Sequence, residues 1–219
     1  MKIKALIPVR KGSSRIINKN IRPFAGSSLL EIKIQQLKRI KMIEGIVVNS
    51  DSIEMLSLAQ FMGCEIVKRD AFFATTDVSA NDFFENIAKP FPCDIIVMTP
   101  VTNPLLKDET IKNCINKFFE LREEGYDSLN TVHEFKEYLL LDGKPMNFNV
   151  EKWVSSQFLP NTQIYNNAIN IISRETVLRI RNVIGFNPYF FNIDPYEAID
   201  INNPIDFDIA EELYKRLIK

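Results

Sequence analysis

The sequence predicts an α/β fold, with a mostly parallel sheet covered by helices on both faces. Short apolar runs recur along the first two thirds of the chain. Segments with helical spacing of apolar residues separate them, and capping or turn residues mark each change of pattern.

Ile3 to Val9 is a short apolar run and reads as a central strand. Leu29, Leu30, Ile32, Ile34, Leu37 and Ile40 alternate with Lys and Gln at amphipathic helical spacing. Gly45 precedes a second buried strand, Ile46 to Val48, and Asp51 followed by Glu54 fits a capping box opening a helix to about Gly63. Glu65 to Lys68 is a third short strand, and Asp82 to Lys89 a helix stopped at Pro90. Asp94 to Met98 is another apolar strand, followed by a proline-rich loop. Lys107 to Glu124 is a helix ending near Gly125, and Ser128 to His133 a strand. The pattern then changes. Residues 135–167 are polar, aromatic and weakly periodic, with a turn at Asp142-Gly143, and read as a hairpin-like excursion. Ala168 to Ile172 returns as a strand, and Ser173 caps a short helix. Tyr189 to Ile193 and Ala198 to Ile201 are strand-like, and Asn203 with Pro204 opens the last helix. Without repeats or linkers, residues 1–219 read as one domain.

Composition narrows the function. The 219 residues are 46% hydrophobic and 25% charged, ordinary globular values, with a net charge of −1 that argues against a general nucleic-acid binder. Cys64, Cys93 and Cys114 form no Cys-x-x-Cys pair and read as reduced core thiols of a cytoplasmic protein. With a single histidine, His133, they exclude the common zinc sites. The first apolar run is too short for a signal-peptide core, and no stretch reaches bilayer length, so no membrane association is expected.

The charge is unevenly placed. Lys2, Lys4, Arg10, Lys11, Arg15, Lys19 and Arg22 precede the first carboxylate, Glu31. Four of them fall in a loop with Gly12, Ser13, Ser14 and Asn20, just after the first strand. Backbone N–H groups and basic heads leaving a buried strand can surround a polyanion, which points to a nucleotide-using enzyme.

Residues 7–20, IPVRKGSSRIINKN, resemble the opening motif I-P-A-R-x-G-S-K-G-I-P-x-K-N of the cytidylyltransferases that make CMP-activated acidic sugars. The acylneuraminate (CMP-sialic acid synthetase) branch is the most similar. Ser14 stands at the usual lysine and Arg15 at the glycine. Further segments match in register: VVNSD (47–51) with V-V-S-T-D, KRDAFFATTD (68–77) with R-P-x-x-L-A-x-D, and TNPLL (102–106) with T-S-P-L-R. Residues 157–160 and 165–169 (YNNAI) resemble Q-D-L-P and Y-x-x-N-G-A-I-Y, and AIDINNPID (198–206) resembles S-I-D-I-D-T-x-x-D. The resemblance implies a Rossmann-like three-layer α/β/α nucleotidyltransferase fold of the nucleotide-diphospho-sugar transferase kind, with residues 135–167 as a dimerisation excursion. It implies transfer of CMP from CTP to a sialic acid-like nonulosonic acid for surface glycan biosynthesis, with pyrophosphate released.

The same resemblance implies the site. Arg10, Arg15 and Lys19 hold the triphosphate with N–H groups around Gly12, Ser13 and Ser14. Asn20 reads a cytosine edge, Arg69 contacts the base or ribose, and Ser79 assists. Thr102, Asn103, Gln157, Tyr165 and Asn167 bind the acceptor. Mg²⁺ is held by two positions two residues apart on a strand end, Asp200 and Asn202, where the second is normally aspartate; Asp206 is a backup ligand. Asn202 brings an oxygen but no charge. Leu106 and Phe158 remove two polar groups of the acceptor pocket, which leaves a different acceptor open: an eight-carbon ulosonic acid or a small phosphate or phosphonate. Asn202 leaves a catalytically impaired nucleotide binder open. His133 falls outside the family's catalytic positions. A homodimer is implied, with Phe148, Trp153 and Phe158 as its anchors.

Overall fold

The computed structural model describes residues 1–13 and 15–217. Among the described residues, seven strands form one mixed sheet: β1 (Ile3–Pro8), β2 (Gly45–Ser50), β3 (Glu65–Lys68), β4 (Ile95–Met98), β5 (Ser128–Phe135), β8 (Thr162–Ser173) and β9 (Pro188–Asn192). Their order is β3-β2-β1-β4-β8-β5-β9. β8 runs antiparallel to both its neighbours, and every other pairing is parallel. Helices α1 (Leu29–Lys38), α2 (Ile53–Phe61), α3 (Ala80–Ala88), α4 (Asp108–Arg122), α5 (Arg174–Ile180) and α6 (Pro204–Leu217) cover it.

Strand alternation produces two cores. Ala5, Ile7, Ile46, Val48, Ile95 and Val97 pack on one side with α1, α2, α4 and α6. Leu6, Val47, Ile96 and Met98 pack on the other with α3 and α5. Strands buried on both faces read as unbroken apolar runs, which is why the sequence marks them so plainly.

Three expectations change. Ser52, not Asp51, caps α2 by accepting the Met55 N–H. Asp51 instead accepts the Lys11 N–H at 2.9 Å and tethers the basic loop. Residues 198–201 form no strand: Ala198 and Ile201 are buried by side-chain packing, and Ile201 makes a single backbone bond to Thr102. β8 begins six residues before the expected Ala168, because Thr162 to Tyr165 already pair with β5 ahead of a bulge at Asn166 and Asn167. The excursion is therefore residues 136–161. It carries a two-stranded turn, β6 (Leu140–Leu141) and β7 (Lys144–Pro145), around Asp142-Gly143. Both turn residues have positive φ (50° and 76°). Tyr138 stacks on Trp153 at 4.4 Å, with Phe148 edge-on to both.

β1 pairs with β2 on one side and β4 on the other, so the strand order reverses there. A crevice outside the carboxyl ends of such strands is the expected ligand position in an open α/β sheet.

Candidate active site

The basic loop leaves β1 at that crevice and is tied down on both sides. Val9 N–H reaches the Asn49 carbonyl at 3.0 Å, Asp51 holds Lys11, and Asn20 Nδ2 donates to the Arg10 carbonyl at 3.1 Å. Two contiguous cavities open beside it and share Pro8, Val9, Arg10 and Pro100. The smaller, about 180 Å³, is basic and polar, lined also by Ser13, Arg15, Lys19, Asn20 and Thr102. The larger, about 330 Å³, is aromatic, lined by Arg69, Phe73, Phe83, Phe84, Met98 and Asn167 among others.

The far end of the chain meets the basic cavity. Lys19 Nζ donates to the Ile201 carbonyl, and Arg15 donates to Asn202 Oδ1 at 3.0 Å. Asn202 Nδ2 donates in turn to Asp200 Oδ2 at 2.6 Å. Burial pulls the Lys19 ammonium below the usual lysine range; nearby Asp200 opposes the shift and Arg15 adds to it. Arg10 sits where the cavities join, its guanidinium fixed on the Ala74 carbonyl at 2.9 Å. The structure thus brings Arg10, Arg15, Lys19, Asn20, Thr102, Asp200 and Asn202 together. Gly12 lies in open space, Ser13 lines the basic cavity, and Ser14 lies outside the described residues.

Several other expected site residues carry hydrogen bonds to the scaffold, inside the cavities or away from them. Asn20 is buried, lines the basic cavity and not the aromatic one, and uses its amide to hold Arg10. Arg69 is 4% exposed and donates to Asn49 Oδ1 and to the Val9 and Asn49 carbonyls, with its guanidinium 5.2 Å over the Phe83 ring. Burial draws its pKa down to about 10, which leaves it a cation at neutral pH. Ser79 is the cap of α3, exchanging hydrogen bonds with Asp82. Asn103 is 1% exposed and donates to the Ile199 carbonyl, so it fixes the Asp200 segment and faces neither cavity. Gln157 lies exposed on the excursion. Leu106 is a core residue and Phe158 is 70% exposed on the excursion, and neither lines the two cavities. His133 lines neither cavity, and burial lowers its pKa.

The metal expectation meets a sparse donor set. Asp206 Oδ2 accepts the Asn202 and Asn203 N–H groups at 2.9 and 2.7 Å, which makes it part of the α6 cap with Oδ1 uncommitted. Among the described residues, no group of three or more His, Cys, Asp or Glu is arranged to hold an ion. Asp200 keeps one carboxylate oxygen uncommitted, and the Asn202 carbonyl is turned to Arg15. Such residues fit Mg²⁺ only as an ion coordinated largely by phosphate and water and held by one carboxylate.

Sequence reasoning missed Lys33. It is fully buried on α1, and its ammonium donates to Gln36 Oε1 at 2.8 Å and to the Asn103 carbonyl at 3.3 Å. Burial pushes its pKa down to about 7. Gln36 holds the Leu106 carbonyl. Lysine at an otherwise apolar position, Ile32-Lys33-Ile34, was the available signal.

Comparison with known proteins supplies the family. The chain is 27% identical over 224 residues to the post-translational flagellin modification protein B of Campylobacter coli, covering 97% of this chain and 95% of that one. It is 27% identical over 247 residues to the CMP-N,N'-diacetyllegionaminic acid synthase of Campylobacter jejuni, covering 96% and 94%. Among solved structures it resembles a CMP:2-keto-3-deoxy-manno-octonic acid synthetase complexed with CTP, with a TM-score of 0.72 at 13% identity over 99% of both chains. The sequence model of the family described as cytidylyltransferase matches residues 4–213. A match running from the first strand into the last helix makes this chain a member of the cytidylyltransferase family and a nucleotidyltransferase.

Proposed function

We propose that this enzyme transfers CMP from CTP to a hydroxyl of a nonulosonic-type acidic sugar, releasing pyrophosphate, in the cytoplasm and for surface glycan biosynthesis. One observation carries the reading: Arg10, Arg15 and Lys19 converge with the Asp200–Asn202 turn beside a cavity that continues into an aromatic one. The basic cavity suits a triphosphate and the aromatic one a pyrimidine nucleoside. The acceptor class is supported by the C. jejuni relative, named for CMP-legionaminic acid synthesis.

In this reading Arg10, at the junction, faces the α-phosphate. Arg15 and Lys19 exchange their neutral partners, the Asn202 and Ile201 carbonyls, for β- and γ-phosphate oxygens. The sugar hydroxyl oxygen bonds to the α-phosphorus and gives up its proton to water, the α–β bridging bond breaks, and its electron pair leaves with pyrophosphate. Nucleotidyl transfer of this kind needs positioning and charge neutralisation above all, and this chain supplies both as fixed cations. Asp200 would hold Mg²⁺ brought in with the triphosphate, and the ion would neutralise phosphate charge there. The exposed Leu140, Leu141, Met146, Trp153 and Phe158 of the excursion suit a second copy of the chain, on which Gln157 would reach the neighbouring acceptor site. No helix among the described residues is long and apolar enough to cross a membrane.

The test is pyrophosphate release from CTP and Mg²⁺ with a panel of sialic, legionaminic, pseudaminic and eight-carbon ulosonic acids. Turnover with a nonulosonic acid is expected. CTP binding with no release on any acid would sink the reaction in favour of a nucleotide-binding subunit, the reading Asn202 favours. Light scattering should give a dimer, and Trp153→Ser a monomer.

A further inference from the structure

Asn167 lines the aromatic cavity from β8 with its backbone at φ +56°, where the family motif stated above has glycine. The matching motif asparagine is Asn166, which is buried and accepts from the Thr131 hydroxyl at 2.7 Å. This chain therefore places a side chain where the motif has none.

Which end of that amide faces the cavity can be worked out from far away. An amide's oxygen and nitrogen are told apart only by their partners. Here the ambiguity is removed by backbone groups, whose polarity is fixed. The Val183 carbonyl accepts from Asn130 at 3.0 Å, so the Asn130 end facing it is Nδ2. The Gly185 N–H donates to Ser128 Oγ at 2.8 Å, and the Ser128 hydroxyl donates to Asn130 Oδ1 at 3.0 Å, which agrees. The same Asn130 Nδ2 donates to Asn170 at 2.8 Å, so that end of Asn170 is Oδ1. Asn170 Nδ2 is then left to donate to Asn167, at 2.6 Å. Asn167 must receive it with Oδ1; the Tyr165 hydroxyl, 2.6 Å from Asn170 Oδ1 and 2.9 Å from Asn167 Oδ1, has one proton to give to the pair. Asn130 and Asn170 are fully buried, so no solvent intervenes to let either amide turn. The orientation passes unbroken from Val183 to the cleft, and Asn167 Nδ2 is the end left without a partner among the described residues.

We propose that Asn167 is a specificity-determining residue that donates a hydrogen bond from Nδ2 to an acceptor atom of the nucleoside, with Asn170, Asn130 and Ser128 as its positioning residues. The nucleoside is preferred over the acceptor sugar because Asn167 lines the cavity with Phe73, Phe83 and Phe84 and is absent from the basic one. The assignment rests on the reading that CTP binds here.

The experiment is calorimetric binding of CTP, dCTP and UTP to the full chain and to Asn167→Gly and Asn167→Asp. Glycine keeps the positive-φ backbone and deletes the donor; aspartate keeps the shape and reverses the polarity. Asn167→Gly should weaken CTP about tenfold, and Asn167→Asp more, with the melting temperature of the glycine variant recorded as the check on folding. A loss that shrinks with dCTP places the acceptor on the ribose; one that shrinks with UTP places it on the base N3; an equal loss places it on an atom all three share. Unchanged CTP affinity in a folded Asn167→Gly, with the KM of the acceptor sugar raised instead, would overturn the proposal while leaving the CTP reading intact. Failure of the unmodified chain to bind CTP would remove both.

Discussion

The basic and aromatic halves of the cleft are built by opposite means. In the basic half, Arg15 and Lys19 rest on neutral oxygens, those of Asn202 and Ile201, which a phosphate replaces at a gain. In the aromatic half, Arg69 is buried and held through Nε and Nη2 on Asn49 and Val9, and Asn167 ends a relay of amides. One half is an exchangeable charge reservoir, and the other is a preorganised mould. Cations already positioned on neutral oxygens meet phosphate charge with little reorganisation, whereas a base that must be told from its relatives needs groups that cannot turn.

The contrast can be broken most severely in the basic half. Lys19→Ala should lower kcat by about 10²–10³-fold, the usual loss of one charge-stabilising donor, with little change in thermal stability. Pyrophosphate release and melting curves together check it; a large stability loss with modest kinetics would make Lys19 part of the mould.

The next effect lies beneath both halves, at Lys33. Its pKa is about 7 in the folded chain against 10.5 for an ordinary lysine. Between those values the unfolded chain carries the extra proton, so stability should rise with pH from about 7 to 10.5. Below 7 both states are charged and the full burial cost applies, on the order of a few kcal/mol. Lys33→Met should flatten that slope in urea titrations at pH 7 and 9.5. A slope that survives the substitution would place the titration elsewhere.

The smallest effect is expected at Asn202→Asp. A second carboxylate beside Asp200 should lower the Mg²⁺ concentration for half-maximal rate by several-fold, and Arg15 should form an ion pair in place of its amide contact. An unchanged Mg²⁺ dependence would show that phosphate and Asp200 already set the ion's affinity.

Much of this was legible in the sequence, and the residues show why the rest was not. Strands buried on both faces announce themselves as apolar runs, and the loop after β1 is marked by its charge. The approach of Asp200 to Lys19 followed from motif resemblance, although residues 198–201 prove to be loop packed by side chains and not a strand. What motif matching does not disclose is which hydrogen bonds a side chain has already made. Asp51 and Ser52 are both good caps, and only the position of Lys11 decides between them. Ser79, Asn103 and Arg69 sit near the site yet use their polar atoms on a helix end, a neighbouring loop and a strand end. The Asn103 and Arg69 commitments are long-range and leave no local trace, whereas the Ser79 cap is local.

The positive φ at Asn167 has a consequence for how this wall can change over generations. Glycine, asparagine and aspartate adopt such a backbone at the lowest cost, and β-branched residues at the highest. The position therefore offers selection a very short alphabet: silence, a neutral donor, or a negative charge. A single nucleotide change in the codon separates the last two. Altered substrate preference in this lineage would be expected to arrive there in one abrupt step, without the gradual reshaping open to an ordinary pocket residue.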